Sequence, residues 1–239
     1  MGQLIVVRHG QASLMRTNYD DLSERGREQS TMLGQCFAEH GWSFDSVYTG
    51  PAMRHRDTMR RVGRELDAAE RSWPEPVELA GLAENDDLSL VRASVGSLSD
   101  DEEVVRLRQE MLDVRDKEER SRRFQLLYEA VMLRWLGGDF EPQGVESWPQ
   151  FRARVLSCVE TMTSLCQPEA RIVAFTSVGP VAVLLQRALG VDDQTSFRLA
   201  WRLRNSALTE FSFDGRGRLL LESFNAVPHL RDPSTWTLS

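Results

Sequence analysis

The sequence predicts an α/β protein, a three-layer α/β/α sandwich in which a mostly parallel central sheet lies between helices. Leu4-Ile5-Val6-Val7 is apolar without alternation, as a strand covered on both faces must be. Ile172-Val173-Ala174-Phe175 repeats that pattern late in the chain. Both runs end in a short polar turn with a helical segment downstream, the order from which parallel sheets are built.

The elements follow in order. After the first strand, Ser23–His40 reads as a helix. Ser23 is its cap, Glu24 suits its positive end, Gly41 ends it, and Leu33, Cys36 and Phe37 lie on its apolar face. Phe44–Thr49 is a second strand. Proline suits a first helical position, so a helix is expected from Pro51 to Ala69. Pro76–Leu79 is a third, shorter strand. From Ser99 to Leu136 acidic and basic residues alternate on a helix-forming stretch, a solvated face laced with ion pairs. Residues 99–146 are expected as a helical insertion, able to act as a lid, within a single domain of residues 1–239. Glu146–Cys166 carries Trp148, Phe151, Val155, Val159 and Met162 at helical spacing. Arg171–Thr176 is the late buried strand, Ser177-Val178-Gly179-Pro180 a sharp turn, and Val181–Leu189 a helix. Ala207–Phe213 and Arg218–Phe224 flank Asp214-Gly215-Arg216-Gly217 as a hairpin.

The 239 residues carry a net charge of −7 and are 41% hydrophobic. That gives a real core and excludes a general nucleic-acid or anionic-membrane surface, while leaving room for a local basic pocket. No apolar run approaches the ~20 residues of a membrane span. A strand that begins so near Met1 leaves no place for a signal peptide, and Val6 stands where a myristoylation site wants Ser or Thr. Cys36, Cys158 and Cys166 have no metal-ligand spacing, and the last two are too far apart on one helix for a disulfide. A cytoplasmic protein with reduced core thiols is expected, acting as a monomer or homodimer.

The chemistry-bearing residues gather at strand ends, where open α/β sheets bind ligands. Arg8-His9-Gly10 follows the first strand. Arg8 offers a permanent planar cation for phosphate or carboxylate, His9 a nucleophile or proton carrier, and Gly10 close access of an anion to the backbone. Gly50-Pro51-Ala52-Met53-Arg54-His55 follows the second strand. Taken singly, Arg54 reads as a surface arginine and His55 as structural or solvated. Ser177-Val178-Gly179-Pro180 follows the late strand, and its backbone N–H groups open a helix, a natural anion site.

Together and in this order these motifs resemble the histidine phosphatase superfamily, the phosphoglycerate mutase-like fold. Leu22-Ser23-Glu24-Arg25-Gly26-Arg27-Glu28-Gln29, Tyr48-Thr49-Gly50-Pro51-Ala52-Met53-Arg54-His55-Arg56-Asp57-Thr58 and Leu82-Ala83-Glu84 extend the resemblance over nearly the whole chain. It implies that His9 forms a phosphohistidine, that Arg8 and Arg54 clamp the phosphoryl oxygens, and that Glu84 protonates the leaving group, with Asp86 and Asp87 as competitors for that role. Phosphoryl transfer rests on positioning and charge stabilisation, which two arginines supply without a metal or other cofactor. A carboxylic acid near those oxygens would be kept protonated for donation.

The late turn departs from the family pattern. Ser177 stands where most active members carry a second histidine, and Val178 where glycine is common. Serine can bond a phosphate oxygen but brings no charge. Gln11 and His229 complete the candidates. His229 either folds back to replace the missing histidine or lies in a tail packed on the sheet, and His40 is solvated. The first reading is a metal-independent phosphomonoester hydrolase acting on a small phosphorylated substrate, a phosphoprotein being open as well. A phosphoglycerate mutase is the second; the segment Gln11–Asp20 lacks the tryptophan-asparagine pattern of the glycolytic mutases, which favours hydrolysis. The third is a catalytically weak phosphate-binding protein, which Ser177 alone supports.

Overall fold

A computed structural model describes residues 1–13, 20–164, 167, 169–214 and 217–238. Residues 14–19 of the segment compared with the mutases, Cys166, and Gly215 and Arg216 of the hairpin tip lie outside the described residues.

The strands are β1 (Gly2–Arg8), β2 (Ser46–Thr49), β3 (Val77–Glu78), β4 (Arg171–Thr176), β5 (Leu208–Phe213) and β6 (Leu219–Ala226). They form one six-stranded sheet in the order β3-β2-β4-β1-β5-β6. The β3–β2, β2–β4 and β4–β1 pairs are parallel, and β5 pairs antiparallel with both β1 and β6. The mostly parallel sheet is therefore found, and the expected hairpin closes one edge. The central strands are apolar on both faces because both are covered.

Helices α1 (Glu24–Glu39) and α2 (Met53–Ala68) pack together on one face. There Leu33, Phe37, Met59, Val62 and Leu66 meet Ile5 and Val7 of β1, Val47 of β2, and Val173 and Phe175 of β4, all buried. Residues of opposite parity, such as Leu4, Val6, Ile172 and Ala174, serve the other face and are equally buried. Helix α7 (Val178–Leu189) packs against α8 (Asp193–Ala200) and β6. Each such Leu, Val or Phe contributes about 1.5–3 kcal/mol of burial.

Ser23 caps α1 as its sequence implies, accepting the Gly26 N–H at 3.0 Å. Helix α2 begins later than expected, with Ala52 at its cap and Pro51 outside it. Helix α7 begins at Val178, so the residues read as a sharp turn are already its first turn, and Pro180 stands where an N–H would have no partner anyway. Helix α8 had no counterpart in the sequence reading.

By internal contacts the chain divides into two compact units, residues 1–84 with 154–239, and residues 85–153. The first holds the sheet. The second holds α3 (Asp87–Ser97), α4 (Glu102–Asp113), α5 (Lys117–Gly137) and the start of α6 (Trp148–Ser164). Its helical stretch starts before Ser99 and is interrupted twice, because Asp101 and Asp116 cap new helices through Val104 N–H at 3.0 Å and Glu119 N–H at 2.9 Å. The alternating charges form ion pairs such as Arg106–Glu110 at 2.6 Å and Arg123–Glu119 at 2.9 Å. Exposed pairs of this kind add little stability. The unit is held by its own core, in which Trp135, Trp148 and Phe151 pack ring against ring. Among the described residues no helix is long and apolar enough to cross a membrane. Cys36 and Cys158 are free thiols, and burial pushes Cys158 up to about 11.

Candidate functional site

Sheet order assembles the site. Strand β4 lies between β1 and β2, all three parallel, so their carboxyl ends share one edge. Register sets the level: Arg8 pairs with Thr176, and Thr49 with Phe175. The ladder runs one step further, with His9 N–H donating to Thr176 O and Gly50 N–H to Phe175 O, both at 2.9 Å. His9 and Gly50, the first residues beyond β1 and β2, are thereby fixed by backbone bonds to β4, and Ser177 follows β4 directly.

His9 is buried, with 5% of its surface exposed. Its Nδ1 lies 2.7 Å from Gly10 O. A carbonyl only accepts, so Nδ1 carries the proton and Nε2 keeps a lone pair. Burial holds the imidazole well below its ordinary pKa of 6.5, and Arg54, Arg8 and His55 lower it further. The His9 carbonyl accepts Ser206 N–H at 3.1 Å and the Asn205 Nδ2 amide at 3.3 Å. Ser206 holds φ +58 to do so, a left-handed conformation unusual for serine.

Ser177 is the N-cap residue of α7 and almost fully buried, yet its hydroxyl makes no capping bond. Its Oγ lies 2.6 Å from His55 Nε2 and accepts from Arg54 Nη2 at 3.4 Å. His55 is not solvated: it is fully buried, and its ring centroid is 5.7 Å from that of His9. Burial, then Arg54 and Arg56, hold His55 well below 6.5. The expected neighbours His9, Arg54 and Ser177 thus come together around an imidazole that sequence reasoning had set aside.

Arg54 is only partly buried, and its Nη1 pairs with Asp20 Oδ1 at 2.7 Å. Arg8 is buried and donates from Nη1 to Leu203 O, with Leu238 O at 3.5 Å from both terminal nitrogens. The carboxyl-terminal segment reaches this edge through further bonds, Gln29 Nε2 to Thr235 O at 2.9 Å and Asn205 N–H to Thr237 O at 2.9 Å.

Two expectations change in reason. Gly10 does not leave its backbone open to an anion: its N–H donates to Thr58 Oγ1 at 3.0 Å, and a Cβ there would lie 2.3 Å from Gly26 O. Its bareness lets α1 approach. Gln11 joins the loop to α1, with its side-chain oxygen accepting the Ser23 hydroxyl at 2.9 Å and its N–H donating to Gln29 Oε1 at 3.0 Å.

Glu84 accepts the Gly179 N–H with both oxygens, at 3.1 and 3.0 Å, and so occupies the α7 N-terminus. Its competitors are engaged locally in the helical unit. Asp86 caps α3 through Ser89 N–H at 3.0 Å, and Asp87 accepts Tyr128 OH at 2.8 Å and Asn85 Nδ2 at 2.6 Å. His229 does not reach Ser177's place. It is buried beside Ser206, with Nε2 2.8 Å from Oγ. His40 is exposed at the end of α1, as expected. Sequence reasoning missed Asp20, Asn205 and Ser206, which carry no motif. His55 had a signal, an imidazole next to Arg54 in a chain that lacks one at position 177. Among the described residues no group of His, Cys, Asp and Glu is placed to hold a metal ion.

A mixed, mostly parallel sheet thus presents a buried histidine, two arginines and a helix N-terminus at one edge of an α/β protein. The chain belongs to the histidine phosphatase superfamily, branch 1, whose family model matches residues 4–86 and 112–226. Solved structures share the fold. A phosphoserine phosphatase from Entamoeba histolytica, determined with phosphoserine, superposes with a TM-score of 0.61 at 15% identity, covering 96% of this chain and 100% of its own. A phosphoglycerate mutase from Bacillus anthracis gives 0.63 at 18% identity, covering 96% and 95%. A mycobacterial glucosyl-3-phosphoglycerate phosphatase gives 0.62 at 18% identity, covering 94% and 99%.

Proposed function

We propose that this protein is a metal-independent phosphatase that hydrolyses phosphomonoesters through a phosphohistidine on His9. The observation that carries this reading is the fixed tautomer of His9: its Nδ1–H is held by Gly10 O, leaving Nε2 unprotonated in the field of Arg54 and Arg8. In the first step Nε2 attacks phosphorus in line, the P–O bond to the leaving group breaks, and Glu84 gives that oxygen a proton. In the second step water attacks phosphorus, Glu84 takes the water proton, and the P–N bond breaks to release phosphate and neutral His9. Arg8 and Arg54 balance the charge on the phosphoryl oxygens. The site suits a small phosphorylated substrate, the class that a phosphoserine phosphatase of the same fold binds.

The test is alkaline-quench labelling with a phosphorylated substrate after exhaustive chelation, since a phosphoramidate survives alkali and is lost in acid. Label on the wild type and none on a folded His9→Ala variant supports the reading. Full turnover in His9→Ala, or turnover that requires an added divalent ion, overturns it.

A second reading, a catalytically weak phosphate binder, is favoured by one observation: both arginines already have internal partners, Asp20 for Arg54 and the Leu203 carbonyl for Arg8. Phosphate binding without turnover of any aryl phosphate would favour it. Mutase-type transfer shares the first step and returns the phosphoryl group to substrate instead of water; phosphoglycerate turnover that depends on a bisphosphate would favour that.

A further inference from the structure

Ser177 occupies a position where a serine hydroxyl ordinarily bonds the second or third N–H of its own helix. It is released from that duty because the Glu84 carboxylate takes the Gly179 N–H, the second of α7. The freed Oγ instead meets two nitrogens from α2, His55 Nε2 at 2.6 Å and Arg54 Nη2 at 3.4 Å.

A hydroxyl has two lone pairs and one proton. Arg54 can only donate, so it uses one lone pair. The direction of the bond to His55 decides what remains. The His55 Nδ1 has no hydrogen-bond partner. It packs against Gly50, where a Cβ would lie 2.3 Å from that nitrogen. A proton on Nδ1 would be a buried N–H without an acceptor, an arrangement that native structures avoid more strictly than an unfilled lone pair. The single proton of the neutral ring therefore belongs on Nε2, pointing at Ser177.

We propose that His55 is a positioning residue: its Nε2–H and Arg54 fill both lone pairs of Ser177 Oγ, which leaves the hydroxyl proton to donate to a phosphoryl oxygen held at His9. This rests on the phosphatase reading and deepens it, because the late turn then gains the polarising influence of an imidazole that its own sequence lacks. His55 does so from a fully buried position beside the His9 ring.

Two measurements test the proposal. In the wild type, ¹⁵N spectra of the imidazoles should show His55 protonated on Nε2 and bare on Nδ1; the opposite tautomer overturns the proposal without any substitution. Orthovanadate affinity then reads the coupling. Ser177→Ala and His55→Phe should each weaken vanadate by about tenfold, the scale of one net hydrogen bond. Their combination should weaken it no further, since both act through one hydroxyl. His55→Gln, which can place an amide N–H near the lost Nε2–H, should recover most of the affinity relative to His55→Phe. Multiplying losses in the double variant, or unchanged affinity in His55→Phe, overturns the proposal. Should His55→Phe fail to fold, the tautomer and His55→Gln carry the test, and loss of vanadate affinity in folded His55→Gln equal to that of Ser177→Ala overturns it. The two readings fail separately: absence of label on His9 with the coupled vanadate losses intact removes the phosphohistidine only, and label on His9 with independent losses removes the role of His55 only.

Discussion

Asp20 holds Arg54 much as a phosphate would: Oδ1 lies 2.7 Å from Nη1 while Oδ2 accepts the Met53 N–H, also at 2.7 Å. A carboxylate thus spans the guanidinium and the first N–H of α2, two groups suited to a tetrahedral anion. In the proposed reaction an incoming phosphoryl group would compete with it.

Asp20→Asn keeps an oxygen for Met53 and removes the charge that competes for Arg54. The pair is partly exposed, which limits its strength. Inorganic phosphate, measured by its inhibition constant, should bind the variant several-fold more tightly, on the order of 1 kcal/mol. Weaker binding would show that Asp20 orients Arg54 for the substrate instead of opposing it.

Buried histidines make the fold sensitive to acid. His229 is lowered from 6.5 to about 4 by burial. The unfolded chain therefore binds the proton first as pH falls. The stability that His229 contributes is complete above about pH 6.5 and is lost progressively down to about 4, on the order of 3 kcal/mol. His9 and His55 are lowered as well and act in the same direction. Urea unfolding from pH 7.5 to 4.5 should show stability falling below 6.5, and His229→Gln should flatten that slope. An unchanged slope would mean that His229 titrates in the folded chain much as it does in the unfolded one.

Gly10→Ala tests why that glycine is there. The new Cβ would meet Gly26 O at 2.3 Å and Ser30 Oγ at 2.8 Å, so α1 must shift away from β1. Overpacking against backbone costs about 1–3 kcal/mol or more, and a lowered urea midpoint should accompany any loss of turnover. Lost turnover at unchanged stability would return Gly10 to the role of an anion contact.

Much of this was legible because the chemistry sits at strand ends, and strands announce themselves. Arg171–Thr176 was read to the residue from its apolar run. Ser177 followed from it, and its approach to Arg54 required only that the two loops share an edge. Pattern could not give side-chain direction. Gly10 stands out in the sequence, but whether its missing Cβ admits a ligand or a helix depends on α1, which packs from elsewhere in the chain. His55 looked ordinary beside Arg54 because its burial is set by Gly50 and Ser177 together. The carbonyl partners of Arg8, Leu203 and Leu238, come from segments with no motif at all. Asp101 and Asp116 show the same limit in the helical unit: each is one more acid in a charged run until its cap is seen.

Glu84 is the residue whose role the chemistry can isolate. Its carboxylate lies at the N-terminus of α7, bonded by both oxygens to the Gly179 N–H, at the strand edge that also presents His9 and Ser177. If it protonates the leaving group, its removal should matter in proportion to how much help that group needs. A nitrophenolate leaves without a proton, whereas an alkoxide does not. Glu84→Gln keeps an oxygen for Gly179 and removes the transferable proton. We expect kcat/KM for an alkyl phosphate to fall by about 10²–10⁴, the usual contribution of a positioned acid, and that for 4-nitrophenyl phosphate to fall far less. Phosphate should still be trapped on His9 from the aryl substrate. Equal losses on both substrates would show that Glu84 serves only to cap α7, and proton donation would then have to be sought elsewhere in the site.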